Sequence, residues 1–177
     1  LVVGAGVDYK SLRPRLNSGK PNIVSKERVN STSFIGYAKV VTKPVTFKAE
    51  AVIGENMTDH VMIGGYLGYF TSADSVESYD ATKTKAYWFD VSGNGKKIVP
   101  GLFIGYTSND GAKSGGKAAY GRSIGTSGRG VKNVLRVSPR VEFISGKFKI
   151  GTEIEYTEAS YGVMGNDAKV SGDTDKI

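Results

Sequence analysis

Hydrophobic and polar residues alternate one by one along seven segments of the chain, the pattern of β-strands that have one apolar and one polar face. In segment 45–53 the apolar positions hold Val, Phe, Ala and Ile, and the first three positions between them hold Thr, Lys and Glu. The chain is therefore predicted to be all-β, with antiparallel strands joined in sequence as a meander. The seven segments are 1–10, 33–41, 45–53, 87–93, 98–106, 135–143 and 148–156.

Tight turns are predicted between several of these strands. Asn94-Gly95 is the strongest two-residue hairpin signal in the chain, and a turn centred there pairs Val91 with Ile98. A second tight connection is predicted at Lys43-Pro44, because proline presets the backbone of a turn. The Asn94-Gly95 turn pairs apolar residues with apolar residues, and the turn type at Lys43-Pro44 is left open.

A third tight turn is predicted at Ser145-Gly146, which pairs Phe143 with Phe148 on the apolar face. Because side chains alternate, a slip of one residue would exchange the two faces.

Two prolines within strands lack a ladder N–H, so a bulge or kink is expected at Pro100 and Pro139. On the polar face the register brings opposite charges together: Glu142 with Lys149, Arg136 with Glu155, and Arg140 diagonally with Glu153.

Successive antiparallel strands run between the two ends of a sheet, so the three tight turns must lie at one end. Long loops are then expected at the other end, over residues 13–31, 54–85 and 108–132. Segment 60–70 also alternates, but a strand there would separate the tight turns, so it is interpreted as a hairpin arm or an inward-folded part of its loop. Residues 163–177 are predicted to form a polar tail.

Strand length and strand ends favour a membrane protein over a soluble β-sandwich. The strands have about 9–12 residues, the length that a tilted strand needs to cross a bilayer, whereas soluble strands average about 5–6. Short turns at one end and long loops at the other are typical of outer-membrane barrels. Aromatic residues of the apolar face are predicted to form two belts at the membrane–water interfaces: Tyr9, Phe34, Tyr87, Tyr106 and Tyr156 near the long loops, and Phe47, Phe143 and Phe148 near the tight turns.

Composition removes most catalytic chemistry. The 177 residues include 24 Gly, no Cys and one His, so thiol nucleophiles, thiolate metal sites and Ser/His triads are not expected. No apolar run approaches the roughly 18 residues that a membrane helix needs. His60, with Asp59 and Glu55 nearby, is interpreted as a polar loop residue. No catalytic residue, metal or cofactor is predicted, and the chain is not expected to be an enzyme.

The loop over residues 108–132 carries much of the net charge of +7. From Gly111 to Lys117 it fits part of a phosphate-binding loop, but Ala118 stands where a hydroxyl would hold magnesium, so it is interpreted as a flexible Gly/Lys loop. Nucleic-acid binding is not expected, because the segment has one aromatic residue, Tyr120, and no recognisable module. A basic loop beside anionic lipopolysaccharide, or one that steers anionic solutes, fits the charge better.

The stretches GLFIGYTSNDG, RVSPRVEFISGKFKIGTEIEYTEASYG and AEAVIGENMTDHVMIGGY resemble the later strands of a porin-like outer-membrane β-barrel family of Gram-negative bacteria. The resemblance covers about residues 30–162 and implies insertion into the outer membrane and passive diffusion of small solutes. Single-chain bacterial barrels have an even number of at least eight strands, whereas seven are counted here. The barrel is therefore expected to be partial, or completed by further chain segments or by a homo-oligomer.

The sequence thus predicts one domain over residues 1–177, an antiparallel transmembrane β-barrel that contacts outer-membrane lipid and encloses a charged aqueous lumen. The alternative is a soluble or surface-displayed β-barrel or sandwich that acts as an adhesin or a ligand-binding module. In that case the apolar face would form the core and the charged face would meet solvent. Residues predicted to line the pore are Lys39, Lys48, Glu50, Asp90, Arg136, Arg140, Glu142, Lys149, Glu153 and Glu155.

Overall fold

The computed structural model describes residues 1–18, 23–70, 76–113, 118–122 and 128–176. Within these residues most of the chain forms β-strands, and one short 3-10 helix lies at Met57–His60. The strands are β1 Val2–Leu12, β2 Asn17–Ser18, β3 Ile23–Val24, β4 Val29–Val41, β5 Val45–Glu55, β6 Gly64–Tyr69, β7 Ser78–Ala81, β8 Lys83–Gly93, β9 Ile98–Gly111, β10 Ala118–Arg122, β11 Arg129–Ser145, β12 Phe148–Glu153, β13 Tyr156–Met164 and β14 Val170–Lys176.

Nine strands form the main sheet, in the order β1-β4-β5-β8-β9-β11-β13-β14, with β12 also paired to β11. β12 and β13 follow one another along the same edge of β11, opposite residues 140–145 and 129–137 respectively. All pairs are antiparallel, so the prediction of an all-β antiparallel meander is confirmed. Among the described residues the order has two ends, β1 and β14, and no closed barrel is present.

The turn predicted at Asn94-Gly95 is wrong. Strand β8 ends at Gly93 and β9 begins at Ile98, and Val91 pairs with Leu102 instead of Ile98. The Asn94 side chain bonds to the neighbouring hairpin. Its Nδ2 donates to the Thr42 carbonyl oxygen at 2.7 Å, and its Oδ1 accepts from Thr46 Oγ1 at 2.8 Å. The register moves by four residues, an even number, so the two faces are kept. The tight turn at Lys43-Pro44 is confirmed, since Thr42 N donates to Val45 O.

The hairpin after β11 is also displaced from its predicted position. Its turn residues are Gly146 and Lys147, so Phe143 pairs with Ile150 and Arg140 lies directly opposite Glu153. Gly146 has φ of +58°, and glycine adopts this left-handed conformation without steric strain. The turn is therefore centred one residue later than the sequence predicted, and the apolar and polar faces are unchanged.

Pro139 lies where the strand paired with β11 is interrupted. β12 ends at Glu153 and β13 begins at Tyr156, opposite Arg140 and Val137 respectively. Without an N–H, Pro139 cannot donate to the facing strand, although its carbonyl still accepts from Ile154 N at 3.0 Å. The predicted irregularity at this proline is thus a local break in the ladder.

Residues 163–177 are not only a polar tail. They contain β14, which pairs with β13 through Met164 with Val170 and Ser160 with Lys176. The intervening turn is closed by a hydrogen bond from Gly165 N to Lys169 O at 2.9 Å. This strand was not predicted, because the sequence of segment 170–176 has no clear alternation of apolar and polar residues. The strand is held by backbone pairing to β13.

The long connections form a second small sheet with the order β10-β6-β7. Segment 60–70 is therefore outside the main sheet, as predicted, and contributes β6 to this smaller one. Both clusters of buried apolar residues involve this region: Leu67 packs with Ala168, and Val29 packs with Tyr79 and Ala81. Residues 114–117 of the predicted Gly/Lys loop lie outside the described residues.

Candidate functional site

The apolar face of the main sheet is exposed. Phe148, Tyr9 and Phe34 each expose more than 60% of their surface, although all three are large apolar or aromatic side chains. The other five aromatic residues predicted for the two belts are also exposed, and Phe47 contacts Phe89 with 6.1 Å between ring centroids. Aliphatic side chains between the two belts share this exposure: Val7, Ile53, Ile104, Ile150 and Ile154.

The opposite face of the same strands is the more buried one, although it carries polar residues. Ser33, Thr84 and Ser138 are buried, and Asp90 exposes only 6% of its surface. All ten residues predicted to line the pore lie on this polar face, because the observed pairing keeps the predicted alternation. The sheet is thus inverted relative to a soluble sandwich, in which the apolar face would be the buried one.

The best-defined ion pair of the polar face crosses three strands. Arg140 of β11 binds the Asp90 carboxylate of β8 through both terminal nitrogens, at 2.7 and 3.0 Å. Between them, Gly101 of β9 leaves the space for the guanidinium, since a Cβ there would lie 2.8 Å from Arg140 Nε. Lys48 lies 3.8 Å from the same carboxylate. Such a bidentate arginine–carboxylate pair holds both side chains in one geometry.

Two further ion pairs join β11 to Lys149 of β12 and to Glu155, which lies between β12 and β13. Arg136 contacts Glu155 at 3.2 Å, with about half of each side chain exposed, and Lys149 contacts Glu142 at 2.7 Å. The sequence predicted both pairs, and they form diagonally across the displaced register. On the neighbouring strands, Trp88 donates its indole N–H to Glu50 at 3.0 Å. Most fixed charges of the polar face are therefore compensated by a neighbouring residue.

The loop after β5 folds over the polar face of β1 and β4. Gly54 allows the loop to approach closely, since a Cβ there would lie 2.7 Å from the Met57 sulfur and 2.2 Å from Ser33 Cβ. From the following 3-10 helix, Asp59 pairs with Lys10, and His60 Nε2 lies 3.5 Å from an oxygen of Asp8. This part of the loop therefore contacts the polar face, and its partners on β1 could not be identified from the sequence.

Asp8, Asp59 and His60 could each offer one ligand atom to a metal ion, and these atoms lie within 4.8 Å of one another. The Lys10 ammonium already contacts Asp59, so an ion would have to compete with a fixed positive charge. All three side chains are also substantially exposed. The cluster therefore resembles a hydrated charge network more closely than a preformed metal centre. Glu55, which the sequence placed nearby, is not among these three.

The small sheet contains an aromatic cluster around a buried carboxylate, which sequence reasoning missed. Glu77 exposes 2% of its surface, accepts from Tyr79 at 3.1 Å and lies 3.5 Å from Arg15. Tyr66 stacks on Tyr120 at 5.3 Å between centroids and meets Tyr79 edge-on. Burial, with the nearby Glu77 charge, raises the pKa of Tyr79 to about 12. The cluster joins three separate loops.

No helix in the described parts of the chain has the length and apolar character needed to cross a membrane. Comparison of the chain with protein-family models, with curated proteins and with solved structures found no match.

Proposed function

We propose that the chain forms the wall of a porin-like channel in an outer membrane, with its apolar face against lipid and its polar face against water. The observation that carries the proposal is the inverted burial of the main sheet: Phe34, Ile104 and Phe148 are exposed, whereas Asp90 and Ser138 are buried. Small solutes would diffuse passively along the polar face. No chemical step is required of the protein.

Energetic reasoning supports lipid as the partner of the apolar face. Moving a large apolar side chain out of water is worth about 1.5–3 kcal/mol, and many such side chains line this face without cover. Monomeric soluble proteins rarely leave contiguous apolar patches larger than a few hundred Å². A hydrocarbon environment removes this penalty along the whole strand length. The aromatic residues at the strand ends would then lie at the two interfaces.

The polar face supports weak ion selectivity. Arg140 with Asp90, Lys149 with Glu142 and Arg136 with Glu155 each neutralise one another. A pore lined by paired charges presents a small net field to a passing ion. The loop that carries Met57–His60 would narrow the lumen, since it rests on the polar face. Deleting residues 60–70 is expected to raise single-channel conductance, and an unchanged conductance contradicts this role.

Closure of a pore requires partners for the two outer strands, β1 and β14. We propose that further strands of a longer chain, or a second copy of this chain, supply them, because unpaired strand edges within a bilayer leave backbone groups without hydrogen bonds. The rival function, a soluble adhesin or ligand-binding module, would expose the same apolar face to water.

The test is extraction followed by reconstitution. The channel is expected to require detergent for extraction and to produce discrete conductance steps in planar lipid bilayers. A protein that stays monomeric in buffer without detergent, and adds no conductance above a lipid-only control, would refute the channel and favour the binding module.

A further inference from the structure

A cavity of about 300 Å³ lies between the polar face of β1, β4 and β5 and the loop over residues 57–62. Much of its wall is apolar, and two carboxylates face it among these hydrophobic groups. This combination, an apolar pocket with few polar groups, is typical of small-molecule sites. The residues that carry the argument are Ile35, Val52, Met57 and Met62 on the apolar side, and Asp8 and Glu50 on the charged side.

Neither carboxylate has the short bidentate contact to a cation that Arg140 gives Asp90. Within the described residues, Glu50 takes part in no ion pair and accepts its hydrogen bond from the neutral indole of Trp88. Asp8 lies 4.0 Å from the Lys10 ammonium, which Asp59 engages more closely, and 3.5 Å from Nε2 of His60, which also lines the cavity. Among the described residues, the Glu50 charge therefore has no cation paired with it, unlike the Asp90 charge, which Arg140 neutralises.

We infer that this cavity binds a small organic cation with an apolar body, such as a primary amine on an aromatic or alkyl group. The ammonium pairs with Glu50, because at Asp8 it would compete with Lys10, and the apolar body packs against the Ile35, Val52 and methionine side chains. As a substrate class for the channel, the inference rests on the proposed function. Binding itself can be measured without conduction.

Trp88 provides the readout, because it is the single tryptophan of the chain and donates to Glu50. Folded protein in detergent is titrated with phenethylamine, with the uncharged 2-phenylethanol and with the anionic phenylacetate. We expect a saturable change in Trp88 emission with phenethylamine, at least tenfold weaker binding of the alcohol, and no binding of phenylacetate. The alcohol lacks the charge that strengthens a hydrogen bond to a carboxylate, and phenylacetate carries the same charge as the carboxylate.

Variants identify the residues and are measured by calorimetry, which does not depend on the indole. Glu50→Gln and Asp8→Asn both keep side-chain shape. Glu50→Gln is expected to weaken phenethylamine binding about fivefold or more by removing a charge-assisted contact, and Asp8→Asn is expected to weaken it less. Glu27→Gln, an equal charge change at an exposed loop position outside the cavity, is the matched control and is expected to leave binding unchanged.

Equal affinity for phenethylamine and 2-phenylethanol would overturn the inference, as would binding that is unaffected by both cavity variants. The outcome is separable from the channel test. If the protein conducts but does not bind the amine, only the cavity inference is refuted. If it binds the amine with the expected variant pattern but never conducts, the cavity inference is supported and the channel proposal is refuted.

Discussion

Removing the Arg140 guanidinium tests most directly how much the ion pair on the polar face contributes to stability. The Asp90 carboxylate exposes only 9% of its side chain, and Arg140 supplies both of its short contacts. In Arg140→Met the carboxylate remains enclosed, with Lys48 at 3.8 Å as the nearest described cation. Methionine keeps much of the aliphatic stem, so the change isolates the charge and its hydrogen bonds.

The expected loss in free energy of unfolding is about 3 kcal/mol, the lower end of the range for breaking a buried pair, because Arg140 itself stays a fifth exposed. Arg136→Met is the matched control on the same strand and face. Its pair with Glu155 is half exposed on both sides, so its loss is expected to be below about 1 kcal/mol.

The assay is urea unfolding of the protein in detergent micelles, followed by far-ultraviolet circular dichroism and by heat-modifiable migration on gels. Adding Asp90→Asn to Arg140→Met is expected to recover part of the loss, because the uncompensated charge is then removed. Equal losses for Arg140→Met and Arg136→Met would refute the reasoning, as would a double variant no more stable than Arg140→Met alone.

Three further predictions follow from the same geometry. Gly101→Ala should displace the Arg140 guanidinium and lower the free energy of unfolding by about 1–2 kcal/mol. In the control Gly151→Ala, the new Cβ would meet nothing closer than 3.7 Å, so the loss should be far smaller. Similar losses for the two variants would contradict this prediction. Ile104→Arg, on the exposed apolar face, should cost about 2–4 kcal/mol in lipid but little for a soluble protein, as measured by unfolding from liposomes. Tyr79 has a pKa of about 12 in the folded state and near 10 when unfolded. Its contribution to stability is therefore complete below pH 10 and is lost between pH 10 and 12. Tyrosinate absorbance should show this titration at high pH, and Tyr79→Phe should remove it.

Alternation predicted the faces correctly because it is a local property of each strand. Lys48 and Asp90 lie on the polar face and Phe47 and Ile104 on the apolar face, as the period of two requires. The aromatic residues at the strand ends lie on the apolar face for the same reason. This information survives errors of register, as long as the register changes by an even number of residues.

Turn positions were less predictable, since they depend on partners distant in the sequence. The Asn94 side chain forms hydrogen bonds with Thr42 and Thr46, which lie 52 and 48 residues earlier, and these contacts replace a two-residue turn. Strand β14 escaped detection because pairing to β13 holds it. The Glu77 cluster escaped because its Arg15 partner lies 62 residues away.

The amino-acid sequence by itself determined which side of each strand is apolar, because neighbouring side chains must point to opposite faces of an extended backbone. Only the tertiary structure decided which face is exposed and which charges remain without a close partner. Exposure depends on what covers a face, and pairing depends on which strands meet, as where Gly101 lets Arg140 reach Asp90 across β9.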